Sequence, residues 1–356
     1  MDVQDIETPA LLLDLDLMEK NIKKMSDYFS TRKAKLRPHV KNHKTPIIAL
    51  KELDAGAAGV AVAKLEEAEV MAWSGIDNIL IMNEIVTDDK IEKFLGLSKH
   101  ADVIVAVDNQ DNVAKISSMA RSRDLNPSVV IEVDIGHHRA GVQPENAAEL
   151  AQKIVSTGNL KFRGLGGYQG HVSLMIDPKE RQIADEKACA RLITAKDAVE
   201  DKGIDVDIVS SGGTGTYNYT GNYPGITEVQ AGSYVTMDVG YTDCGIDFDI
   251  ALSVLATVNS VPSEDRAILD AGLKSITTNQ GLPRVKGLEG IEITKLSAEH
   301  THLKLAPNHS RLKLGDKVEV YASDTDTTTN MHNQFYGIRD DQVEVVWPIL
   351  ARGKTR

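Results

Sequence analysis

The chain has 356 residues, of which 42% are hydrophobic and 26% are charged, and its formal net charge is −12. A negative balance argues against a nucleic-acid partner, because such proteins concentrate lysine and arginine. No apolar run approaches the roughly 20 residues that cross a bilayer, and the first residues lack the basic and apolar regions of a signal peptide. The composition therefore predicts a soluble, cytoplasmic protein without a membrane partner. Cys189 and Cys244 lie far apart and are predicted to be free thiols.

From residue 10 to about residue 240, short β-branched runs alternate with amphipathic stretches, which is typical of repeated βα units. About eight runs occur, the number of strands in a TIM barrel. The alternation predicts a (β/α)₈ barrel over residues 10–240. Its strands are predicted at Leu11–Leu13, Ala34–His39, Gly59–Val62, Ile79–Met82, Val103–Val107, Val129–Val133, Phe162–Leu165 and Val206–Val209.

After residue 240 the apolar runs follow one another without long helices between them, and this change predicts a second, mostly β domain. Residues 241–356 are assigned to it, together with residues 1–9. The absence of a low-complexity linker predicts that the two domains pack together.

Active sites of (β/α) barrels lie at the carboxyl ends of the strands, so the residues after each run are the candidates. The second run ends in the segment Arg37-Pro38-His39-Val40-Lys41-Asn42-His43-Lys44. Neighbouring cations depress the pKa of a lysine and turn it into a Schiff-base nucleophile. Lys41 is therefore the candidate nucleophile, with His39 and His43 beside it. An ordinary basic loop is the alternative that the residues alone leave open.

A glycine-rich turn, Ser210 to Thr216, follows the last predicted barrel strand. Its glycines allow close backbone approach, and its hydroxyl and N–H groups can hold a phosphate. Gly232, Ser233 and Tyr234 would add donors to the same phosphate. A plain structural turn is the alternative for both segments.

Two further strand ends carry candidate ligand-binding residues. Arg139 follows a glycine-opened turn after the sixth run and is predicted to point into the barrel mouth. Tyr168 and His171 follow the seventh run, and a tyrosine there can stack on a planar ligand or bind it by its hydroxyl. A packing role for the tyrosine remains open.

Taken in this order, the segments resemble the fold-type III pyridoxal-phosphate family, which includes D-threonine aldolases and eukaryotic-type D-serine dehydratases. The resemblance begins at Glu7-Thr8-Pro9-Ala10, passes through Arg37-Pro38-His39-Val40-Lys41 and Gly212-Gly213-Thr214-Gly215, and reaches Trp347-Pro348. It implies an alanine-racemase-like barrel and a homodimer.

The resemblance also implies the roles of individual residues. Pyridoxal 5′-phosphate (PLP) would be attached to Lys41, and its phosphate would be held by Gly213, Thr214 and Gly215. Arg139 would contact the phenolic oxygen of the cofactor. Tyr168 would lie near the pyridine ring.

Members of this family carry a divalent metal on a His-x-Asp or His-x-Cys pair, and the matching stretch here is Asp324-Thr325-Asp326. Alternate residues of an extended strand share a face, so Asp324 and Asp326 are predicted to bind the same metal ion. Two carboxylates favour Mg²⁺ or Mn²⁺, with Ca²⁺ and Zn²⁺ as alternatives. Without the resemblance, a solvated acidic loop explains the pair as well.

The predicted function is a PLP-dependent lyase that cleaves a D-3-hydroxy amino acid such as D-threonine to glycine and an aldehyde, assisted by the metal. Asp326, where the dehydratases have cysteine, favours the aldolase. Dehydration of D-serine or 3-hydroxyaspartate, racemisation, a non-catalytic PLP carrier and a barrel enzyme without PLP stay open. Without a metal, His39, His43 and His171 are the candidate bases, because histidine titrates near neutrality.

Overall fold

The computed structural model describes residues 1–308 and 311–356. The chain forms two compact units, which we call the β unit and the barrel unit. The β unit consists of Met1–Lys24, Asn42–Ile47 and Ser233–Gly353, and the barrel unit consists of Met25–Lys41, Ile48–Gly232 and Lys354–Arg356. The division differs from the predicted ranges chiefly because residues 10–24 and 42–47 belong to the β unit.

Strands are numbered in chain order over the described residues. They are β1 (Ala10–Asp14), β2 (Lys35–Leu36), β3 (Val60–Val62), β4 (Asn78–Glu84), β5 (Asp102–Val107), β6 (Ser128–Glu132), β7 (Lys161–Gly166), β8 (Ile208–Ser211), β9 (Glu228–Val229), β10 (Leu252–Ser263), β11 (Arg266–Leu269), β12 (Arg284–Val285), β13 (Ile291–Leu296), β14 (Thr301–Leu305), β15 (Lys317–Tyr321), β16 (Gln334–Arg339) and β17 (Gln342–Pro348).

Among the helices in the described part of the chain, none is both long and apolar enough to span a membrane. They are α1 (Leu15–Ser30), α2 (Pro46–Asp54), α3 (Leu65–Trp73), α4 (Asp88–Leu97), α5 (Gln110–Arg121), α6 (Ala147–Ser156), α7 (Pro178–Glu200), α8 (Tyr217–Thr220), α9 (Val239–Asp243) and α10 (Thr325–Thr329).

The barrel unit is built on a parallel sheet with the order β2-β9-β8-β7-β6-β5-β4-β3, eight strands within the residues described. Its two edges are joined, because His39 forms a parallel bridge with Ala61 and the Val40 N–H donates to the Ala61 carbonyl at 2.9 Å. The strands read as continuous apolar runs because helices follow them in the chain and cover parallel sheets. Residues 79–81 of β4, for example, are fully buried. The predicted (β/α)₈ barrel with a mostly β companion is confirmed.

The first predicted barrel strand was assigned to the wrong sheet. β1 pairs antiparallel with β10 and parallel with β16, so Leu11–Leu13 lies in the sheet of the β unit. The barrel strand that the sequence missed is β9, which has only two residues. Apolar periodicity reports that a segment is buried but not which partner buries it. A two-residue strand produces no run that a pattern can detect.

The β unit contains a mostly antiparallel sheet with the order β13-β14-β11-β10-β1-β16-β17, to which β15 is added through β10 and β12. The amino-terminal residues belong to this sheet, since the Val3 N–H donates to the Asp341 carbonyl at 3.0 Å. Val3 and Ile6 are buried in a cluster with Leu12 and Leu255. The β1 strand is therefore buried by residues from both ends of the chain.

A buried ion pair ties the short strands of the barrel together. The Arg37 guanidinium donates to both carboxylate oxygens of Glu228, at 2.7 and 2.6 Å, and to Asn78 Oδ1 at 2.8 Å. Arg37 is 1% exposed. The sequence predicted that Arg37 adds positive charge around Lys41, and this is corrected, because a bidentate carboxylate compensates the guanidinium charge.

Candidate active site

Lys41 follows directly on the bridge that closes the barrel. Its side chain is exposed although Val40 is fully buried. The Lys41 N–H donates to His39 Nδ1 at 3.4 Å, and a Cβ on Gly232 would lie 2.3 Å from the His39 carbonyl oxygen. Gly232 is thus needed for close backbone packing at this strand end. Lys41 is therefore an exposed residue just beyond a strand end of the barrel unit.

The glycine-rich turn follows β8. The Gly212 N–H donates to Gln169 Oε1 at 3.1 Å, and a Cβ on Gly215 would lie 2.0 Å from the Ser173 carbonyl oxygen. A Cβ on Gly213 would instead meet the Tyr168 ring at 3.5 Å, an ordinary contact distance. Gly215 is therefore required by packing, whereas Gly213 leaves a space beside Tyr168 that a side chain would fill.

Aromatic and cationic side chains gather at the ends of β6 and β7. The His137 and His171 rings are stacked with centroids 6.1 Å apart, and His137 meets the Tyr168 ring edge-on at 5.6 Å. The Arg139 guanidinium carbon lies 5.7 Å from the centroid of Tyr168. Burial lowers the pKa of both histidines. The charge of Arg139 lowers the pKa of His137 further, and the charge of His138 does the same for His171. Both imidazoles are neutral at pH 7 and can accept a proton.

Carboxylates end three neighbouring barrel strands. Glu84 is the last residue of β4, Asp108 follows β5, and Glu132 is the last residue of β6. The Glu84 and Glu132 carboxyl groups interact strongly enough for each to shift the pKa of the other, and Arg139 Nη2 lies 3.6 Å from Glu132 Oε1. Burial raises the pKa of Glu132 to about 8, with the Glu84 charge adding to the effect and Arg139 opposing it. Burial raises the pKa of Glu84 as well. The pair therefore shares a proton at neutral pH.

The shared proton predicts how stability depends on pH. An unfolded glutamate loses its proton near pH 4.5, whereas folded Glu132 keeps it to about 8. The free energy of unfolding therefore falls between these two values, because the folded state binds the extra proton. Glu132→Gln copies the protonated acid, so we expect it to be more stable than the wild type by about 1–3 kcal/mol above pH 8 and equal to it near pH 4.

Denaturant unfolding at a series of pH values measures this difference. The exposed Glu145→Gln is the control, and its difference from the wild type should stay constant with pH. A Glu132→Gln difference that is equally independent of pH would contradict the shared proton.

Asp324 and Asp326 lie at the start of α10 in the β unit, which corrects the prediction that they share the face of an extended strand. Asp324 is the N-cap residue and accepts from Thr327 N–H at 3.4 Å and from Thr327 Oγ1 at 3.0 Å. Asn279 Nδ2 donates to its second oxygen at 2.9 Å, and Asn42 Nδ2 donates to Asp326 Oδ1 at 2.9 Å. An aspartate ahead of a short polar segment favours a helix start over a strand.

The residues around these aspartates do not fit the predicted metal site. In the part of the chain that the structure describes, no group of three or more His, Cys, Asp or Glu side chains is arranged to hold an ion. The nearby Asp238 is buried, and burial raises its pKa to about 7, with the charges of Asp326 and Asp324 adding to the shift. Amide donors already face Asp324 and Asp326.

Three other predicted site residues have their side chains engaged within the β unit. His43 is fully buried and its Nδ1 accepts from Thr45 N–H at 3.1 Å, which corrects its prediction as an accessible base. Tyr234 is also fully buried, with its ring 5.7 Å from that of Phe248. Ser233 Oγ donates to Asp326 Oδ1 at 3.4 Å. The Ser233 hydroxyl is thus engaged by Asp326, and the Tyr234 ring is packed in the core of the β unit.

Several site residues were missed from the sequence. Glu84 lies two positions beyond the predicted end of its strand, and extending each apolar run to its first acidic residue would have found both it and Asp108. Asp185 lies inside a helix and is followed by Glu186, so its position resembles an ordinary solvated one. Its spacing, three, four and seven residues before Ala188, Cys189 and Leu192, places it on the buried face of α7 and is the signal that could have found it.

Comparisons with known proteins agree with this geometry. Residues 13–239 match the family model described as "Alanine racemase, N-terminal domain". The chain belongs to this alanine racemase-type family. Its residues 251–338 match the model described as "Putative serine dehydratase domain".

Individual relatives of this alanine racemase-type chain are similar over nearly its whole length. A 3-hydroxy-D-aspartate aldolase of Paracoccus denitrificans is 36% identical, with 99% of this chain and 94% of the relative covered. A D-threonine aldolase of an Arthrobacter species is 35% identical, with the same coverage. The crystal structure of D-threonine aldolase from Filomicrobium marinum matches with a TM-score of 0.96 at 34% identity, covering 99% of this chain and 98% of that one.

The family confirms the enzyme class predicted from the resemblance. This alanine racemase-type chain is a lyase of the PLP-dependent family that acts on D-amino acids. The barrel unit has features that suit PLP, because Lys41 is exposed at a strand end and the turn at Gly213 leaves space beside the Tyr168 ring.

Proposed function

We propose that this chain carries PLP on Lys41 and cleaves a D-3-hydroxy amino acid to glycine and an aldehyde. The observation that carries the proposal is the exposed Lys41 amine at the barrel closure, where barrel enzymes place their reacting groups. The choice of reaction is supported by the relatives, which are named 3-hydroxy-D-aspartate aldolase and D-threonine aldolase. Both substrate names describe D-3-hydroxy amino acids.

The barrel unit provides groups for each part of the cofactor. Backbone N–H groups of Gly213, Thr214 and Gly215 would hold the phosphate, since a glycine-rich turn lets a phosphate approach the backbone closely. Tyr168 would pack beside the pyridine ring, and Arg139 would bind the phenolic oxygen. When bound, PLP supplies an electron sink for the negative charge left on the substrate α-carbon.

Cleavage also requires a base for the substrate's β-hydroxyl. We assign this role to His171, which is exposed at the end of β7 and whose lowered pKa keeps its imidazole neutral. The imidazole takes the hydroxyl proton as the C–O bond becomes a carbonyl and the Cα–Cβ bond breaks. The electron pair of that bond passes to the α-carbon, which then takes up a proton to give glycine.

The phosphate turn can be tested at Gly213. Gly213→Val places methyl groups in the space beside Tyr168, so we expect PLP affinity to fall about tenfold or more, equivalent to roughly 1.4 kcal/mol. Gly213 is the best position for this test, because side chains at Gly215 clash with the backbone of Ser173 and Gly212 has a φ of +80°. Equilibrium titration of the apoprotein with PLP measures the affinity.

The exposed Gly96 of α4 provides the matched control for this prediction. Gly96→Val should leave PLP affinity unchanged, because no atom lies within 4 Å of the position that a Cβ would occupy there. Unchanged PLP affinity in a folded Gly213→Val variant would show that the turn does not bind the phosphate.

Two measurements test the proposal as a whole. Borohydride reduction followed by peptide mapping should locate the phosphopyridoxyl group on Lys41, and its appearance on another lysine would overturn the assignment. A panel of D-3-hydroxy amino acids should yield glycine and an aldehyde. Ammonia and a 2-oxo acid would instead identify a dehydratase, and inversion at Cα would identify a racemase. If none of these amino acids is turned over, the result would favour a non-catalytic PLP carrier.

The product assay also tests the predicted metal site, and a molar-mass measurement tests the predicted assembly. Loss of activity in EDTA that Mg²⁺ or Mn²⁺ restores, and that Asp326→Asn alters, would reinstate the aspartate pair as ligands. The homodimer implied by the resemblance belongs to the same proposal, and light scattering tests it through the molar mass.

A further inference from the structure

A buried hydrogen-bond network in the barrel unit lies next to the glycine-rich turn. Gln169 and Asp185 are both fully buried. Gln169 Nε2 donates to Asp185 Oδ1 at 2.7 Å, and Gln169 Oε1 accepts from Gly212 N–H at 3.1 Å and from Ser211 Oγ at 3.0 Å. One amide therefore connects a carboxylate on α7 to the start of the turn.

A second arm of the network reaches the other end of the turn. Thr220 Oγ1 donates to Asp185 Oδ1 at 2.8 Å, and it lies 3.1 Å from Thr216 Oγ1. The Thr216 N–H in turn donates to the Gly213 carbonyl at 3.1 Å. Asp185 is thus linked to both ends of the segment Gly212–Thr216.

The chemistry of the acceptor fixes the orientation of the amide. A carboxylate only accepts hydrogen bonds, so it draws the NH₂ group of Gln169 to itself and turns the amide oxygen toward Gly212. If the amide were reversed, its oxygen would face the Asp185 carboxylate and the buried Gly212 N–H would be left without an acceptor. Asp185 therefore determines, through Gln169, how the first peptide of the turn is held.

We propose that Asp185 is a positioning residue that holds the Gly212–Thr216 turn, through Gln169 and Thr220, in the conformation that receives the phosphate of PLP. This inference rests on the proposed function, because it takes the turn to be the phosphate site. Asp185 itself touches no cofactor. It acts on the phosphate end of the site and not on the link to Lys41.

The phosphate-free cofactor analogue pyridoxal separates this role from a general structural one. Pyridoxal reacts with Lys41 but makes no phosphate contact, so a disordered turn should weaken PLP binding and spare pyridoxal. We expect Asp185→Leu, which removes the acceptor for both Gln169 and Thr220, to lower PLP affinity by roughly 10- to 100-fold. Its affinity for pyridoxal should stay within about twofold of the wild-type value.

A second variant tests the direction of the hydrogen bonds. In the double variant Asp185→Asn/Gln169→Glu the donor and acceptor roles are exchanged, because the introduced asparagine amide donates to the introduced carboxylate, which still accepts from Gly212 and Ser211. Gln169→Glu alone places two buried carboxylates against each other and should lose PLP affinity, and this double variant should recover most of that loss. The exposed neighbour Glu186→Gln on α7 is the matched control and should change neither ligand's affinity.

The outcomes distinguish this inference from the proposed function. If wild-type protein forms no reducible link between PLP and Lys41, the proposed function fails. If the link forms but Asp185→Leu changes PLP and pyridoxal affinity equally, or changes neither, the positioning role fails. Should Asp185→Leu not fold, Thr220→Val removes the hydroxyl that bonds Asp185, Thr216 and Gln169 and replaces it with a side chain of the same shape. It should lower PLP affinity alone, by about three- to tenfold, and an equal loss for both ligands would overturn the proposal.

Discussion

Replacing Lys41 by alanine should abolish covalent attachment of PLP and reduce turnover by at least about 10³-fold, in the range typical of removing a reacting group. The physical reason is that no other amine in the barrel unit combines exposure with the position just after the closing bridge at His39. Folding should be almost unaffected, because an exposed side chain contributes little core packing. The visible absorbance of bound PLP and the product assay measure the first two effects, and thermal unfolding measures the third.

Lys35 provides a matched control for this variant. It is an exposed lysine on β2, a few residues before Lys41 in the same segment. Lys35→Ala should retain the cofactor and full turnover. A Lys41→Ala protein that still gives a borohydride-stable adduct in the same peptide would contradict the assignment.

Replacing Arg37 by methionine should destabilise the protein by about 3–5 kcal/mol, the usual cost of breaking a buried ion pair by removing one partner. The Glu228 carboxylate, whose side chain is 10% exposed, would be left without its bidentate cation at the point where β2 meets β9. Denaturant unfolding of the apoprotein measures this loss directly.

The double variant Arg37→Met/Glu228→Leu tests the cause. Replacing both partners removes the unpaired charge, so most of the lost stability should return. If the double variant is as unstable as Arg37→Met alone, the loss comes from packing and the ion pair is not its source.

Much of the fold could be predicted from the sequence because burial leaves a periodic trace. The apolar runs at Val103–Val107 and Val129–Val133 became β5 and β6 almost residue for residue. The choice of which strands pair with one another leaves no periodic pattern in the sequence. Leu11–Leu13 looked like a barrel strand because a buried strand followed by an amphipathic helix has the same pattern in either sheet.

The residues of the candidate site also fall into those that a local sequence pattern predicts and those that it does not. Lys41 and Gly213 could be predicted because a strand end and a glycine-rich turn are local features of the sequence. The hydrogen bond between Gln169 and Asp185 and the carboxyl pair of Glu84 and Glu132 join residues from different segments, and no spacing rule connects them. The threonines around Asp326 favour extended structure by residue type, but the N-cap at Asp324 starts a helix there.

The position of β1 has a consequence for how the protein is made. Leu12 pairs with Ser253 on one side and with Tyr336 on the other. At ordinary rates of synthesis, the ribosome needs on the order of 10–50 s to reach the first of these partners. During this time the barrel unit can form while an apolar strand waits with unpaired edges, and such edges recruit other chains. Expression should therefore depend on chaperones that shield the nascent amino terminus, and a circular permutant that is cut in the loop after α1 and moves residues 1–31 to the carboxyl terminus should aggregate less during synthesis.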